Sequence, residues 1–177
     1  MPDESRRITG KSRPTRFGNR IVVRRATLKD LSQVVALRLA LLREETNNPF
    51  FATPHPNAEQ RALALTRDEL GTPGDLFLVA MHDENIVGML RCRMVHRTPL
   101  VAESKQAVVT TVYVTPEQRR TGVLRCLLDA ADRWCRRNGL SEMRLQCALS
   151  NDVGRKAWES LGFEPAELLY LRTIPKT

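Results

Sequence analysis

The chain has 177 residues, a length that suits one ordinary domain burying about two-thirds of its unfolded surface. Hydrophobic residues make up 42% and charged residues 27%, close to the averages for soluble globular proteins. No apolar run approaches the roughly 20 residues that a membrane-spanning helix needs, so the composition predicts a soluble, cytoplasmic protein with no membrane partner.

The first 20 residues carry half of the excess positive charge. The formal net charge is +8, and this segment holds six basic and two acidic residues. It lacks the apolar region of a secretory signal. We expect residues 1–20 to form a basic, disordered tail and residues 21–177 to form the folded domain. Attraction of the tail to nucleic acid is the weaker alternative, because no pattern of interleaved aromatic residues accompanies its charges.

The cysteines and histidines give no sign of a disulfide or a metal site. The cysteines form no Cys-x-x-Cys pair and lie in apolar periodic segments, which favours reduced thiols in the core. The histidines are scattered, without acidic or cysteine neighbours at ligand spacing. These residues are Cys92, Cys126, Cys135, Cys147, His55, His82 and His96.

The first half of the chain predicts a strand, two helices and a hairpin. Periodicity gives a strand over 21–26, helices over 31–43 and 57–70, and strands over 76–81 and 86–94. Thr27 followed by Asp30 is a helix-start signal of the capping-box kind. The proline-rich stretch 47–56 predicts a loop. Its adjacent Phe50 and Phe51 are typical of a loop held to the core, or else of a substrate pocket.

The second half continues the alternation of strands and helices. It predicts a strand over 108–114, a helix over 124–138, a strand over 143–148, a helix over 154–161 and a last strand over 168–173. The run 108–114 is the most β-prone, being almost wholly β-branched and aromatic. No repeat or linker interrupts the order. The sequence therefore predicts a single α/β domain in which helices flank a mixed central sheet.

The turn after the strand 108–114 is suited to phosphate. A helix N-terminus offers unpaired N–H groups and a partial positive charge, and Gly122 lets a ligand approach the backbone. Arg119, Arg120 and Arg125 add charge around the same point. A pyrophosphate-bearing ligand is one interpretation. A solvated basic turn, in which the glycine only eases tight geometry, is the other, and this segment alone leaves them about even.

The segment from Val112 to Leu124 resembles the signature V-x-P-x-x-R-x-x-G-x-G/A of the GNAT superfamily, the GCN5-related N-acetyltransferases. Asn151 and the later Gly162-Phe163 resemble the family's N…G-F element. The order of strand, two helices, hairpin and motif strand also fits. The resemblance extends over residues 22–173.

The resemblance implies an N-acetyltransferase in which a primary amine attacks acetyl-CoA directly, and it implies a homodimer, which many members form. Main-chain groups of the strand Val112-Tyr113-Val114 would pair with the pantetheine arm. Asn151 would contact the cofactor or hold the end of the second strand; it would also suit the N-cap of the short helix. The residues that would wrap the pyrophosphate are Arg119, Arg120, Thr121, Gly122, Val123, Leu124 and Arg125.

Two positions depart from the family pattern. The last residue of the motif is normally small but is Leu124 here, which the helical periodicity turns towards the core. The tyrosine that protonates the leaving thiolate in many members is replaced by Trp158, whose indole is not a useful acid at neutral pH. Other sources of the proton are solvent and the hydroxyls of Ser150, Ser160 and Tyr113.

These departures leave the chemistry open. Protonation of the thiolate need not limit the rate, and the alternative function is a non-catalytic acyl-CoA-binding or regulatory module. The motif strand carries Thr110 and Thr111 where many members carry a carboxylate base; these threonines order water or simply favour a strand. The oxyanion would be held by a backbone N–H of this strand. No acidic cluster is visible, which mildly disfavours a polycationic acceptor. The weak catalytic candidates are Glu44, Glu45, Glu103 and Ser160.

Overall fold

The computed structural model describes residues 21–51 and 53–174. The predicted basic tail, residues 1–20, lies outside the described residues. The chain falls into two compact units that divide between Gln146 and Cys147.

The described elements follow the predicted order. The first unit contains the strands β1 (Ile21–Arg25), β2 (Leu76–His82), β3 (Asn85–His96), β4 (Lys105–Val114) and β5 (Met143–Leu145), and the helices α1 (Leu31–Glu44), α2 (Ala58–Leu70) and α3 (Val123–Arg137). The second unit contains α4 (Asp152–Ser160). The capping box before α1 is confirmed, because the N–H of Thr27 donates to Asp30 at 2.7 Å.

The five strands form one mixed sheet in the order β1-β2-β3-β4-β5. The first four are antiparallel to their neighbours, and β5 runs parallel to β4. The register of β3 and β4 shifts once: Arg91 pairs with Thr111, but Cys92 pairs with Val109. Thr110 is therefore an extra residue, a β-bulge, in β4.

Helices cover both faces of the sheet, as predicted. On one face, α1 contributes to a buried cluster with strand residues: Val34, Leu37, Phe77, Val79, Ile86, Met89 and Tyr113. Alternate strand residues point to the other face. There α3 approaches closely, since a Cβ added at Gly88 would lie 3.0 Å from Val123 and 3.3 Å from Leu127. The missing side chain at Gly88 thus allows α3 to lie against β3.

The prediction of a last strand over 168–173 is wrong. This segment has no strand structure, and the side chains of Leu168, Leu169, Tyr170 and Leu171 are exposed. Its composition favours a strand, but a strand also needs a hydrogen-bonding neighbour, and none of the described strands pairs with it. For the same reason the strand predicted over 143–148 ends at Leu145, where its pairing with β4 ends.

Phe50 and Phe51 do not hold their loop to the core. Both side chains are exposed, by 63% and 44% respectively. The structure therefore contradicts the interpretation that this aromatic pair packs inwards.

Three further observations concern membrane-spanning helices, disulfides and metal sites. None of the helices within the described part of the chain is long and apolar enough to cross a membrane. The four cysteines, all of which lie within the described residues, form no disulfide, and Cys92 and Cys135 are buried. Over residues 21–51 and 53–174, no group of three or more His, Cys, Asp or Glu side chains is arranged to hold a metal ion.

The close approach at Gly88 leads to a stability prediction. Gly88→Ala should lower the free energy of unfolding by about 1–3 kcal/mol, because the new methyl overpacks the contact with Val123 and Leu127. Gly71→Ala is the matched control, since its added Cβ would meet nothing nearer than 3.6 Å and its φ is −89°; it should change stability by less than about 1 kcal/mol. Urea unfolding measures both, and equal free energies would contradict the packing.

Candidate functional site

Strand β4 has a free edge over its second half. It pairs with β5 only at three positions, Ala107 to Val109, and among the described strands none takes over this edge from Thr110 to Val114. The N–H of Thr115 donates to the carbonyl of Val87 at 2.9 Å, towards β3. Because successive strand residues direct their backbone groups alternately to the two edges, those of Val112 and Val114 point to the free edge. An extended chain can pair there as an added strand.

The chain turns sharply between β4 and α3. Arg120 and Gly122 both have positive φ, 62° and 97°, and the hydroxyl of Thr121 donates to the carbonyl of Gln118 at 2.7 Å. Positive φ is uncommon for a non-glycine residue, and such conformations cluster at ligand sites. A Cβ added at Gly122 would meet no atom within 4 Å. The surface above Gly122 is therefore open.

The turn leads into the N-terminus of α3, with Gly122 as the N-cap. The carbonyl of Gly122 accepts the N–H of Cys126 at 3.0 Å, which leaves the N–H groups of residues 123–125 without an intrahelical acceptor. The first turn contains no acidic residue, and the helix dipole places partial positive charge here. The arrangement suits a phosphate anion.

Val123, and not Leu124, is the first residue of α3 that packs against the sheet. Val123 is 1% exposed, whereas Leu124 is only partly buried. Val123 and Leu127 contact Gly88 and so define the face of α3 that is buried against the sheet. Leu124, the residue after Val123, is rotated by about 100° around the helix axis from that face. Leu124 is therefore only partly buried and does not turn into the core as the helical periodicity predicts.

Glu44, at the end of α1, reaches the motif strand. Its Oε1 accepts the hydroxyl of Tyr113 at 2.5 Å, and its Oε2 accepts the guanidinium of Arg119 at 2.6 Å. Arg119 also donates through Nε to the carbonyl of Val114 at 3.0 Å, and its guanidinium carbon lies 5.5 Å from the centroid of the Tyr113 ring. The structure thus brings the predicted candidates Glu44, Tyr113 and Arg119 together.

These contacts shift two pKa values. Burial opposes the charge of Glu44, but the hydrogen bonds from Tyr113 and Arg119 prevail and hold the pKa of Glu44 below its ordinary value. Burial, and then the hydrogen bond to Glu44, raise the pKa of Tyr113 to about 12. Tyr113 is therefore a weaker acid than an ordinary tyrosine, which argues against it as the proton donor to a thiolate.

The other candidate catalytic residues are Glu45 and Glu103 in the first unit and Ser150 and Ser160 in the second. Glu45 accepts the side-chain amide of Asn48 at 3.0 Å. Glu103 is exposed in the loop between β3 and β4, and Ser150 is exposed in the second unit. In the same unit the hydroxyl of Ser160 donates to the carbonyl of Ala157 at 2.7 Å. Of the predicted carboxylates, Glu44 is the one placed at the motif strand.

In the second unit, Asn151 has the capping role that its residue type suggests. Its Oδ1 accepts the N–H of Gly154 at 2.8 Å, at the start of α4. Trp158 is buried and lies edge-on to Phe163, with ring centroids 5.3 Å apart. The indole that replaces the usual tyrosine therefore has a packing role within this unit.

A buried charged group that the sequence pattern did not predict lies beside the bulge. Arg91 is 7% exposed, and its guanidinium contacts Glu69 at 3.0 Å, Asp75 at 2.5 Å and the hydroxyl of Thr110 at 3.3 Å. In the sequence Arg91 stands in a segment where apolar and polar residues alternate, and charged residues in such a pattern typically face solvent. The signal that could have identified it is an arginine that directly follows the apolar run 86–90 at the centre of β3.

The link between Glu44 and Tyr113 predicts a pH dependence. A raised pKa means that the Tyr113 contribution to stability is fully present below about pH 10, the ordinary tyrosine value, and is lost as the pH rises through about 12. Phenolate absorbance should show this late titration, and Tyr113→Phe should abolish it. Glu44→Gln should move it to lower pH, because the carboxylate charge raises the pKa; an unmoved titration would contradict the contact.

Comparisons with known proteins agree with this geometry. The family model described as the acetyltransferase (GNAT) family matches residues 39–163. An aminoglycoside N(6')-acetyltransferase type 1 from Stenotrophomonas maltophilia is 28% identical over 152 residues, which are 85% of this chain and 91% of the relative.

Solved structures share the fold. The aminoglycoside N-acetyltransferase AAC(6')-Iy in complex with CoA has a TM-score of 0.73 at 23% identity, over 88% of this chain and 96% of the other. A predicted acetyltransferase with acetyl-CoA from Clostridium acetobutylicum has a TM-score of 0.71 at 19% identity, over 86% and 96%. The predicted fold class, the N-acetyltransferase activity and acetyl-CoA as donor are confirmed. The chain belongs to the acetyltransferase (GNAT) family.

Proposed function

We propose that the turn from Arg119 to Arg125 binds the pyrophosphate of acetyl-CoA and that the free edge of β4 binds its pantetheine arm. One observation carries the proposal: the free edge, with the backbone groups of Val112 and Val114, is followed by the N-terminus of α3 after the turn over residues 115–122. A site for an added strand and a site for an anion are thus consecutive along the chain. Pantetheine, with its two amides, and pyrophosphate are consecutive in CoA in the same way.

This placement orients the thioester. With the pyrophosphate at the start of α3, the acetyl end of the arm lies towards Thr110, where β4 leaves β5. The amine nitrogen attacks the thioester carbonyl carbon, and a backbone N–H on the free edge stabilises the oxyanion that forms. Collapse of the intermediate forms the amide C–N bond, breaks the C–S bond and releases the CoA thiolate. The nitrogen loses one proton, and the thiolate gains one.

Glu44 fits a positioning role better than that of the general base. Both of its carboxylate oxygens already accept hydrogen bonds, from Tyr113 and Arg119, and its lowered pKa makes it a weaker base. What it does instead is hold the Arg119 side chain against the carbonyl of Val114. We therefore assign Glu44 to the support of the cofactor-binding turn.

We propose an aminoglycoside-like primary amine as the acceptor. The relative that is 28% identical over 85% of this chain is named an aminoglycoside N(6')-acetyltransferase. This similarity extends beyond the cofactor motif to nearly the whole chain, and it outweighs the lack of an acidic cluster in the sequence. The predicted homodimer and the cytoplasmic location stay predictions.

The cofactor placement is tested at Gly122. Gly122→Val puts a branched side chain into the open space above the turn, at a φ of 97° that favours glycine. Binding of CoA, measured by titration calorimetry, should weaken at least about tenfold, or about 1.4 kcal/mol.

Gly74→Val is the matched control. Gly74 also has a positive φ, 81°, and a Cβ added there would also meet no atom within 4 Å, but it lies in the turn before β2. This variant carries comparable backbone strain and should keep its CoA affinity within about twofold. Equal CoA affinities in the two variants would contradict the placement of the pyrophosphate.

The acceptor class is tested with two aminoglycosides that differ only in an amino or a hydroxyl group at the 6' position. With acetyl-CoA, we expect thiol release for the 6'-amino compound and none for the 6'-hydroxyl compound. Release with simple amines but with neither aminoglycoside would overturn the acceptor class and leave the N-acetyltransferase activity intact.

A further inference from the structure

We infer that Arg91 is a positioning residue for acetyl transfer, because it fixes the bulge at Thr110 through a buried ion network. The inference rests on the proposed path of the pantetheine arm along β4. It concerns the place where the thioester lies rather than the place where the pyrophosphate binds.

Arg91 is charged, central in β3 and almost fully buried. Its Nη1 lies 3.0 Å from Glu69 and donates to Thr110 Oγ1 at 3.3 Å, while its Nη2 lies 2.5 Å from Asp75. Both carboxylate side chains are also nearly buried, at 10% and 8% exposure. Buried charges are tolerated when they are paired in this way.

The network joins several elements of the first unit. Glu69, at the end of α2, also pairs with Arg38 of α1, and Asp75 lies 3.7 Å from Nε of Arg93 in β3. Arg91 is thus held from α2 and from the segment before β2, and it transmits that constraint to β4 through Thr110. A planar guanidinium reaches these partners from two separate nitrogens, whereas an ammonium would present all its donors from a single nitrogen.

Arg91 contacts β4 at Thr110, the residue where the strand changes direction. Thr110 is the extra residue of the bulge, and it follows directly on Val109, the last residue that pairs with β5. A bulge bends the strand and re-aims the groups that follow it. The direction of the backbone groups of Val112 therefore depends on how Thr110 is held, and a misplacement of about 1 Å costs a reaction about 100-fold.

This arrangement predicts which kinetic parameter changes. The Arg91 contact lies at the thioester end of the proposed site, whereas the pyrophosphate is bound from Arg119 onwards. Loss of the contact should lower kcat and leave the KM for acetyl-CoA nearly unchanged. A purely structural role would lower the unfolding temperature and leave both parameters unchanged in the folded protein.

The test is Thr110→Val in the full chain, which removes the hydroxyl and keeps the shape of the side chain. With acetyl-CoA and an acceptor amine that supports turnover, kcat should fall at least about tenfold, while the KM for acetyl-CoA and the Kd for CoA stay within about twofold. Thr66→Val is a control for the same substitution away from the bulge, since Thr66 is fully buried and its hydroxyl has no hydrogen-bond partner within the described residues. It should leave kcat unchanged.

A second variant separates loss of stability from loss of the Thr110 contact. Arg38→Met removes only the α1 partner of Glu69 and leaves the contacts of Arg91 with Glu69, Asp75 and Thr110 in place, so it should lower the unfolding temperature without lowering kcat. An unchanged kcat in Thr110→Val, or a raised KM for acetyl-CoA at constant kcat, would overturn the inference. Failure of the proposed cofactor site would show differently, as an undiminished CoA affinity in Gly122→Val.

Discussion

Strand β4 has a second neighbour over only three residue positions, and the candidate site depends on where that pairing ends. After Val109 the bulge at Thr110 redirects the strand, and the backbone groups of Val112 and Val114 face a free edge. An unpaired edge normally invites association with another chain. Here the edge is short and is followed, after the turn over residues 115–122, by the positive end of a helix. This combination matches a ligand with amides at one end and phosphates at the other.

Contacts some way from the free edge keep it in place. Gly88 lets α3 approach β3, and this sets the position of Val123 and of the turn before it. On the other face of the sheet, Glu44 ties the end of α1 to Tyr113 and Arg119. Arg91, with its two buried carboxylates, holds the bulge. The positive φ of Arg120 represents strain that this support sustains next to Gly122, at the point where the ligand is proposed to bind.

Local patterns in the sequence predicted much of this arrangement, because periodicity and capping act over a few residues. The strands, the helices and the turn at Gly122 belong to that class. The partners of Glu44 and Arg91 depend on the register of distant elements, which periodicity does not determine. The prediction of a strand over 168–173 was wrong for a related reason. The composition of this segment suits a strand, but a strand forms only where a neighbouring strand supplies hydrogen-bond partners. The bulge at Thr110 leaves no sign in a run of β-branched residues, since it is a property of two paired strands.

The central claim is that one continuous surface, the free edge of β4 and the first turn of α3, binds acetyl-CoA. A crystal structure of the protein with CoA tests it most directly. We predict pyrophosphate oxygens within hydrogen-bond distance of the N–H groups of residues 123–125, and pantetheine amides paired with the backbone of Val112 and Val114. CoA bound with its pyrophosphate away from Gly122, or with its arm away from β4, would contradict the account.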